Sequence, residues 1–200
     1  MFTGLVQAVG TVAQMTPNAT GTRILIDPGH WGHAPALGDS IAVSGCCLTV
    51  AALERGLWGF DVVPETLAKT VLGKWRPGTK VNLEHAATPT TLMGGHIVQG
   101  HVDGVGEVVS VLKGADHRVR VRPPAGLMEF VSPKGSICMD GVSLTVAGLD
   151  PGAGWFEVAL IPTTLDNTTL ASLAPGGGCN LEADAMAKTI VHWLRRYAPK

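Results

Sequence analysis

The chain contains one sequence pattern twice. Residues 45–54 and 141–150 are identical at six of ten positions, at a separation of 96 residues. At the same separation, residues 4–12 match residues 100–108 at five of nine positions. Ordinary composition would give about one match in such a window. The chain therefore consists of two copies of one module, and its function has to explain why two are needed.

The match continues after a shift of two residues. At a separation of 98, residues 64–67 (PETL) match residues 162–165 (PTTL), and Asn-Leu-Glu recurs at 82–84 and 180–182. A proline fits the first turn of a helix, so we predict a short helical turn after each of Pro64 and Pro162.

Short segments rich in Val, Leu and Thr, separated by glycine and proline, are typical of β-strands. In the first copy they cover residues 4–15, 40–53, 57–63 and 80–86. Six or so strands in about 85 residues favour a small closed barrel over an open sheet, because closure leaves no exposed edges. We predict an all-β protein of two tandem six-stranded antiparallel barrels with Greek-key-like connections, at residues 1–86 and 97–184.

Two segments fall outside this pattern. Residues 87–96 lack periodicity and are predicted to be the linker. Residues 185–200 are predicted to include an amphipathic α-helix, which the first copy lacks. Its apolar side chains are Met186, Ile190, Val191 and Leu194. Such a helix can pack on its own barrel or pair with copies of itself in an oligomer.

Composition excludes several classes of function. The net charge is −1 and only 16% of residues are charged, so there is no basic surface for nucleic acid or an anionic membrane. No run of about 18 apolar residues and no signal peptide are present, and we expect a cytoplasmic protein. The four cysteines have no metal-binding spacing, so we expect free thiols and no metal site.

Six motifs along the chain carry a family resemblance. They are residues 1–6 (MFTGLV), 45–50 (GCCLTV), 94–102 (GGHIVQGHV), 134–135 (KG), 140–146 (DGVSLTV) and 180–184 (NLEAD). In their order, and over the whole chain, they resemble riboflavin synthase of the duplicated-barrel type. The resemblance implies dismutation of two 6,7-dimethyl-8-ribityllumazine molecules. One molecule gives a four-carbon unit to the other, which yields riboflavin and 5-amino-6-(ribitylamino)pyrimidinedione.

The resemblance also implies how the protein assembles. Members of this family are homotrimers in which the first barrel of one subunit meets the second barrel of a neighbour. They use no cofactor. The terminal helix is then an oligomerisation helix, and lumazine synthase is a further partner to consider.

Two matched positions differ chemically between the copies. Cys47 corresponds to Ser143, and His101 corresponds to Leu5. A small residue filling a barrel or a structural histidine would explain either residue alone. The differences lie within preserved neighbours, however, and indicate paired pockets with diverged tasks. By resemblance, Cys47 promotes addition at the acceptor's carbon 7, and His101 lies near the donor, where an imidazole can take a proton from the 7-methyl group.

By resemblance, six residues are candidate catalytic residues: Ser40, Cys47, His101, Ser143, Thr145 and Asp184. Asp184 also stands where it would cap the terminal helix. His96, five residues from His101, is interpreted as structural. The residues implied to contact substrate, including some of the same positions, are Gly4, Leu5, Val6, Cys47, Leu48, Thr49, Asp61, Val62, Val63, Pro64, Glu65, Thr66, Gly100, His101, Val102, Lys134, Ser143, Leu144, Thr145, Ala159, Leu160, Ile161, Pro162, Thr163 and Thr164. Thr163 departs from the glutamate that many relatives carry.

Two other functions fit part of the pattern. A non-catalytic lumazine- or flavin-binding protein of the same fold, such as a fluorescent accessory protein, would need the pockets but not the reactive residues. A structural tandem barrel would need neither. The set of polar residues at matched positions favours the enzyme.

Overall fold

Strand pairing closes each copy into a six-stranded antiparallel barrel, as the sequence predicts. The structure, a computed structural model, describes residues 1–197. The first barrel consists of β1 (Ala8–Asn18), β2 (Gly21–Asp27), β3 (Ser40–Val43), β4 (Cys46–Glu54), β5 (Leu57–Val62) and β6 (Lys80–His85). The second consists of β7 (Gly104–Leu112), β8 (His117–Arg122), β9 (Ser136–Met139), β10 (Val142–Asp150), β11 (Trp155–Leu160) and β12 (Gly178–Ala183). The strand order around the first barrel is β1-β2-β5-β4-β3-β6, and the second repeats it.

Side chains alternate between the barrel interior and its outer face. On β4, Cys46 and Leu48 are buried in the core of the first barrel, while Cys47 and Thr49 point outward. On β10, Ser143 and Thr145 point outward in the same way. The outer face of each barrel therefore carries the residues that differ between the copies.

Two predicted strands have different limits in the structure. The predicted strand 40–53 is two strands, because Ser44 and Gly45 form a tight turn with φ angles of 43° and 79°. Positive φ at both central residues is the geometry of a two-residue hairpin, which glycine adopts without strain. The strand predicted from Gly4 begins only at Ala8. The helical turns predicted after the two prolines are confirmed as α1 (Pro64–Lys69) and α2 (Pro162–Asn167).

Residues before the first strand of each copy cross to the other barrel. Phe2 pairs with Val98, its own equivalent in the second copy, through a 2.7 Å hydrogen bond. Beyond this contact, the Ser143 amide donates to the Gly4 carbonyl at 2.8 Å, and the Cys47 amide donates to the Gly100 carbonyl at 2.9 Å. Residues 97–102 thus lie against the first barrel, although the sequence places them in the second copy. We call residues 1–6 and 97–102 the two crossing segments.

Glycine is required where each crossing segment touches the opposite barrel. A Cβ atom at Gly4 would come within 2.6 Å of the Ser143 Cβ, and one at Gly100 within 2.5 Å of the Cys47 Cβ. Both glycines also have positive φ angles, near 75° and 79°. Glycine therefore recurs at positions 4 and 100 because the backbone there lies too close to the opposite barrel for any side chain.

A reciprocal pair of asparagines also joins the barrels. Asn82 of the first barrel donates to the Asp140 carbonyl and accepts from the Thr169 amide of the second, both at 2.8 Å. Asn180 of the second barrel bonds the Ser44 carbonyl and the Val71 amide of the first at the same distances. Each side-chain amide is buried, and both its nitrogen and its oxygen are hydrogen-bonded. In the repeated Asn-Leu-Glu motif, the asparagine therefore joins the two copies, while the leucine lies in the core of its own barrel.

The terminal helix α3 (Ala185–Tyr197) buries none of its described side chains. Lys188 pairs with Asp103 at 3.0 Å, and Arg195 pairs with Glu129, which fixes the helix beside the second barrel. Met186, Ile190 and Leu194 remain more than half exposed, as does Trp193, which the sequence does not place on the apolar face. Within the chain, then, only Val191 of the four predicted apolar side chains is partly covered. None of the described helices has the length and apolarity needed to cross a membrane.

At the joint between the barrels, the two copies carry chemically different residues at one equivalent position. Asp140 occupies the position of Ser44 and accepts a 2.8 Å hydrogen bond from the Asn180 amide. Burial raises the pKa of Asp140 from 3.8 to about 7. Between these values the folded protein holds a proton that the unfolded chain releases, so the buried carboxyl progressively lowers stability as the pH rises and costs most above pH 7.

We therefore predict that Asp140→Asn, which keeps the side-chain oxygen as an acceptor, stabilises the protein above pH 7. The expected gain is at least about 1 kcal/mol, since one pKa unit corresponds to about 1.4 kcal/mol. The gain should shrink to zero as the pH is lowered towards 4. Urea unfolding across this range measures it, with the exposed Asp166→Asn as the matched control. A gain that does not depend on pH would contradict the assignment.

Candidate active site

Two cavities lie at equivalent places on the two barrels and share no lining residue. The first cavity, of about 310 Å³, is lined by Cys46, Cys47, Glu65, Thr66, Lys69, Thr70, Gly100, His101 and Val102. The second cavity, of about 550 Å³, is lined by Gly4, Leu5, Val6, Gln7, Ala8, Val9, Val142, Ser143, Ile161, Thr163, Thr164, Asp166, Asn167 and Thr168. Each cavity thus combines a barrel, the short helix that follows its fifth strand, and the crossing segment of the other copy.

Two buried glutamates hold the crossing segments in place. Glu84 accepts hydrogen bonds from the Thr3 amide at 2.6 Å, the Thr3 hydroxyl at 2.7 Å and the Gly4 amide at 3.0 Å. Its equivalent Glu182 accepts from the amides of Gln99 and Gly100 at 2.7 and 2.9 Å. Burial raises the pKa of both carboxyls, and these hydrogen bonds oppose the rise. The sequence did not indicate their role directly, although the repeated Asn-Leu-Glu motif was a usable signal.

The crossing places His101 in the same cavity as Cys47. Sequence position alone put His101 with the second copy, yet residues 97–102 lie on the first barrel. Leu5, the equivalent of His101, lies with Ser143 in the second cavity. The first cavity consequently holds both the thiol and the exposed imidazole.

The short helices α1 and α2 also give the two cavities different side chains. Glu65 and Lys69 of α1 line the first cavity and form a 2.8 Å ion pair. Their equivalents in α2 are Thr163 and Asn167, which line the second cavity. The two cavities are therefore built from equivalent elements but differ in volume and in their charged side chains.

Cys47 is the one cysteine that reaches a cavity from the outer face of its barrel. Cys46 faces the core, and burial raises its pKa to about 12. Burial also raises the pKa of Cys138 and Cys179 well above the ordinary value. Cys47 is only partly buried. A thiolate is the reactive form of cysteine, so the other three thiols are expected to be inert.

His96, interpreted from the sequence as structural, contacts Ser143, which lines the second cavity. His96 lies 2.7 Å, through its Nδ1 atom, from the Ser143 hydroxyl, and its Nε2 atom is buried without a partner among the described residues. Burial lowers the pKa of His96, and the nearby Asp184 carboxylate opposes this. Asp184 itself accepts from the amides of Met186 and Ala187, at 2.8 and 3.0 Å, and so caps α3 as the alternative interpretation predicts.

Ser40 lies on the same outer face as Cys47 but lines a different cavity. Ser40 is directly opposite Thr49 in the β3–β4 ladder, as Ala42 is opposite Cys47. The cavity beside Ser40, of about 260 Å³, is lined by His33, Asp39, Ser40, His85, Ala86 and Thr88. In the second barrel Thr145 is opposite Ser136, the equivalent of Ser40, which the sequence analysis did not identify.

The side chains of several residues predicted to contact substrate do not line either cavity. The side chains of Leu48, Val62, Leu144 and Leu160 belong to the barrel cores, so only their backbone can meet a ligand. Val63, Pro64, Ala159 and Pro162 are exposed and line neither cavity. Lys134 is exposed in a turn with a φ angle of 61°, at the place of Gly38.

Asp61 is likewise on the outside of its barrel. Its carboxylate pairs with its cross-strand neighbour Arg23 at 2.6 Å. The equivalent of Asp61 in the second barrel is Ala159, and a different cross-strand pair, Arg120 and Glu157 at 3.2 Å, lies two residues away. The Asp61 carboxylate is therefore part of a surface ion pair with Arg23. Across residues 1–197, no three His, Cys, Asp or Glu side chains gather in a way that could hold a metal ion.

The difference between the cysteines yields a direct prediction. Native protein treated briefly with iodoacetamide should be alkylated at Cys47 first, and at the other three only after unfolding. Peptide mass spectrometry locates the label, and Cys47→Ser is the control that should remain unlabelled. Earlier labelling of Cys46 would show that the strand faces are assigned the wrong way round.

Comparison with known proteins places the chain in a family. The model of the lumazine binding domain matches residues 3–86 and again residues 99–184. Riboflavin synthase of Mycobacterium tuberculosis is 45% identical, over 98% of this chain and 98% of that protein. Riboflavin synthase of Brucella abortus is 40% identical, over 94% and 95%, and that of Photobacterium phosphoreum is 38% identical, over 97% and 89%.

Solved structures of LumP have the same architecture. LumP in complex with riboflavin superposes with a TM-score of 0.82 at 27% identity, covering 92% of this chain and 99% of LumP. LumP in complex with 6,7-dimethyl-8-(1'-D-ribityl)lumazine gives a TM-score of 0.81 at 25% identity, with the same coverage. On the strength of the sequence matches, which extend over nearly the full length, the chain belongs to the riboflavin synthase family and carries the lumazine binding domain twice.

Proposed function

We propose that the protein is a riboflavin synthase. It transfers a four-carbon unit between two molecules of 6,7-dimethyl-8-ribityllumazine, which gives riboflavin and 5-amino-6-(ribitylamino)pyrimidinedione. The observation that carries this proposal is the pair of equivalent but chemically unequal cavities on one chain. Two identical substrates need two related cavities, and their different fates need different side chains.

Holding the two substrates together is itself a large part of catalysis. Fixing two reactants in a productive orientation can remove about 7–11 kcal/mol of the barrier in well-aligned cases. The cavity walls are well suited to this task. Each is built on barrel strands and held by a buried glutamate, and each crossing segment is in close contact with a barrel backbone.

The side chains of the first cavity supply the reactive groups in this proposal. The Cys47 thiol promotes addition at the acceptor's electron-poor carbon 7, directly or through water. The His101 imidazole accepts the proton that the donor's 7-methyl group releases, and the electron pair stays on the heterocycle. Glu65 and Thr66 in one cavity, and Thr163 and Thr164 in the other, offer hydrogen-bonding partners for the two ribityl chains.

A non-catalytic pigment-binding protein is the second candidate, and the LumP structures are the observation that favours it. Those structures are complexes of LumP with 6,7-dimethyl-8-(1'-D-ribityl)lumazine, riboflavin or flavin mononucleotide. The presence of Cys47 and His101 in one cavity and Ser143 in the other supports the enzyme. So does the higher identity of 35–45% to riboflavin synthases than to LumP.

Turnover separates the two candidates. Purified protein incubated with 6,7-dimethyl-8-ribityllumazine alone should form riboflavin, with two lumazines consumed for each riboflavin. Absorbance gives the product and chromatography gives both stoichiometric partners. Cys47→Ala should reduce the rate more than the matched control Cys46→Ala, because the Cys46 side chain points into the barrel core although the residue also borders the cavity. Tight binding of lumazine without riboflavin formation would instead support the pigment-binding function.

We also propose that the active protein is a homotrimer with each active site between two subunits. The first and second cavities share no lining residue, so a second chain is the natural way to bring two bound substrates face to face. The exposed apolar side chains of α3 support its assignment as the oligomerisation helix, because burying each would contribute roughly 1.5–3 kcal/mol. In this scheme residues 1–86 and 97–184 are the two lumazine-binding units and residues 87–96 connect them.

We place the protein in the cytoplasm. Its four cysteines are free thiols, which is the usual state in a reducing compartment. Association with lumazine synthase stays a prediction.

A further inference from the structure

We propose that His96 is a positioning residue that fixes the Ser143 hydroxyl as a hydrogen-bond donor to the heterocycle bound in the second cavity. The inference rests on the proposed function, since it assigns His96 a task in the same reaction. It differs from a structural role for His96, because it links the imidazole to one atom of the cavity wall.

The contact between the two side chains is short and well supported. His96 Nδ1 lies 2.7 Å from Ser143 Oγ, and the His96 amide donates to the Thr3 carbonyl at 3.1 Å. A Cβ atom at Gly95 would come within 2.1 Å of the Thr3 carbonyl oxygen and 3.0 Å of Ser143 Oγ. The histidine backbone is therefore pressed between the first crossing segment and β10, which leaves the imidazole little freedom to turn away.

The protonation of His96 decides which partner donates. Burial lowers its pKa, so the imidazole is neutral at neutral pH and carries one ring proton. The His96 Nε2 atom is buried without a partner among the described residues. A buried N–H group without an acceptor is rarer in proteins than an acceptor without a donor. The proton thus belongs on Nδ1, which donates to Ser143 Oγ and leaves the Ser143 hydroxyl proton free to point into the cavity.

A fixed hydroxyl donor suits the chemistry of this substrate. When the 7-methyl group of a lumazine loses its proton, the negative charge spreads onto the oxygen and nitrogen atoms of the rings. A preoriented donor near those atoms stabilises the charge as it forms. In the first cavity the equivalent of Ser143 is Cys47, so a thiol takes the place of the hydroxyl. The second cavity therefore pairs a hydroxyl with a buried imidazole where the first presents a thiol.

Nuclear magnetic resonance and kinetics test this inference independently. In the parent protein, the ¹⁵N chemical shifts of the neutral His96 ring should identify Nδ1 as the protonated nitrogen. Ser143→Ala removes the donor itself and should lower kcat by roughly 100-fold to 1000-fold. His96→Leu leaves the hydroxyl in place but free to turn, and should lower kcat by about 10-fold to 100-fold. The double variant should lose no more than Ser143→Ala alone, because His96 acts through Ser143.

Two further variants serve as controls. His96→Asn places an amide N–H near the position of Nδ1 and should restore most of the lost activity, while the exposed His30→Leu should leave activity unchanged. Additive losses in the double variant, or a proton on Nε2 in the parent, would overturn the inference. If His96→Leu does not fold, the parent's ring shifts and His96→Asn still decide. A parent protein that forms no riboflavin would refute the proposed function and leave the ring-shift test standing.

Discussion

The exchange of the two crossing segments is the contact on which the rest of the structure depends. Residues 1–6 lie on the second barrel and residues 97–102 on the first, each held by backbone hydrogen bonds and by a buried carboxylate, Glu84 or Glu182. Neither cavity is complete without the other copy. A single barrel would have a core of its own but only part of a cavity wall, so both cavities depend on the joint between the copies.

Duplication followed by divergence explains the chemistry of the two cavities. The two cavities are built from equivalent backbone elements. Cys47 and His101 line the first cavity, and their equivalents Ser143 and Leu5 line the second. Symmetry would place two identical substrates in identical surroundings, yet the reaction needs one to give and one to receive. The symmetry is broken at the equivalent positions whose residues differ, Cys47 with Ser143 and His101 with Leu5. The buried pair of His96 and Ser143 adds a difference that the repeat alone does not display.

The sequence predicted the barrels, the duplication and the short helices because those features depend on local pattern and on periodicity. It did not predict the exchange. Residues 4–7 look like the start of a strand, and nothing local distinguishes a strand that enters its own barrel from one that crosses to the next. For the same reason the sequence did not indicate that His101 lines the same cavity as Cys47, or that the His96 ring contacts Ser143. The sequence also did not indicate the surface ion pair of Asp61 with Arg23, because such a pair leaves no local signature.

The central claim is that one substrate from each of two chains meets in an active site, and a mixed oligomer tests it most directly. Thr66→Trp should block only the first cavity and Thr164→Trp only the second, at matched positions. Each variant alone should be inactive. Mixed trimers, isolated with two affinity tags after co-expression, should retain about a third of the parent's turnover, because one of three cyclic interfaces joins two open cavities. Mixed trimers without activity would place both substrates within one chain and contradict the account.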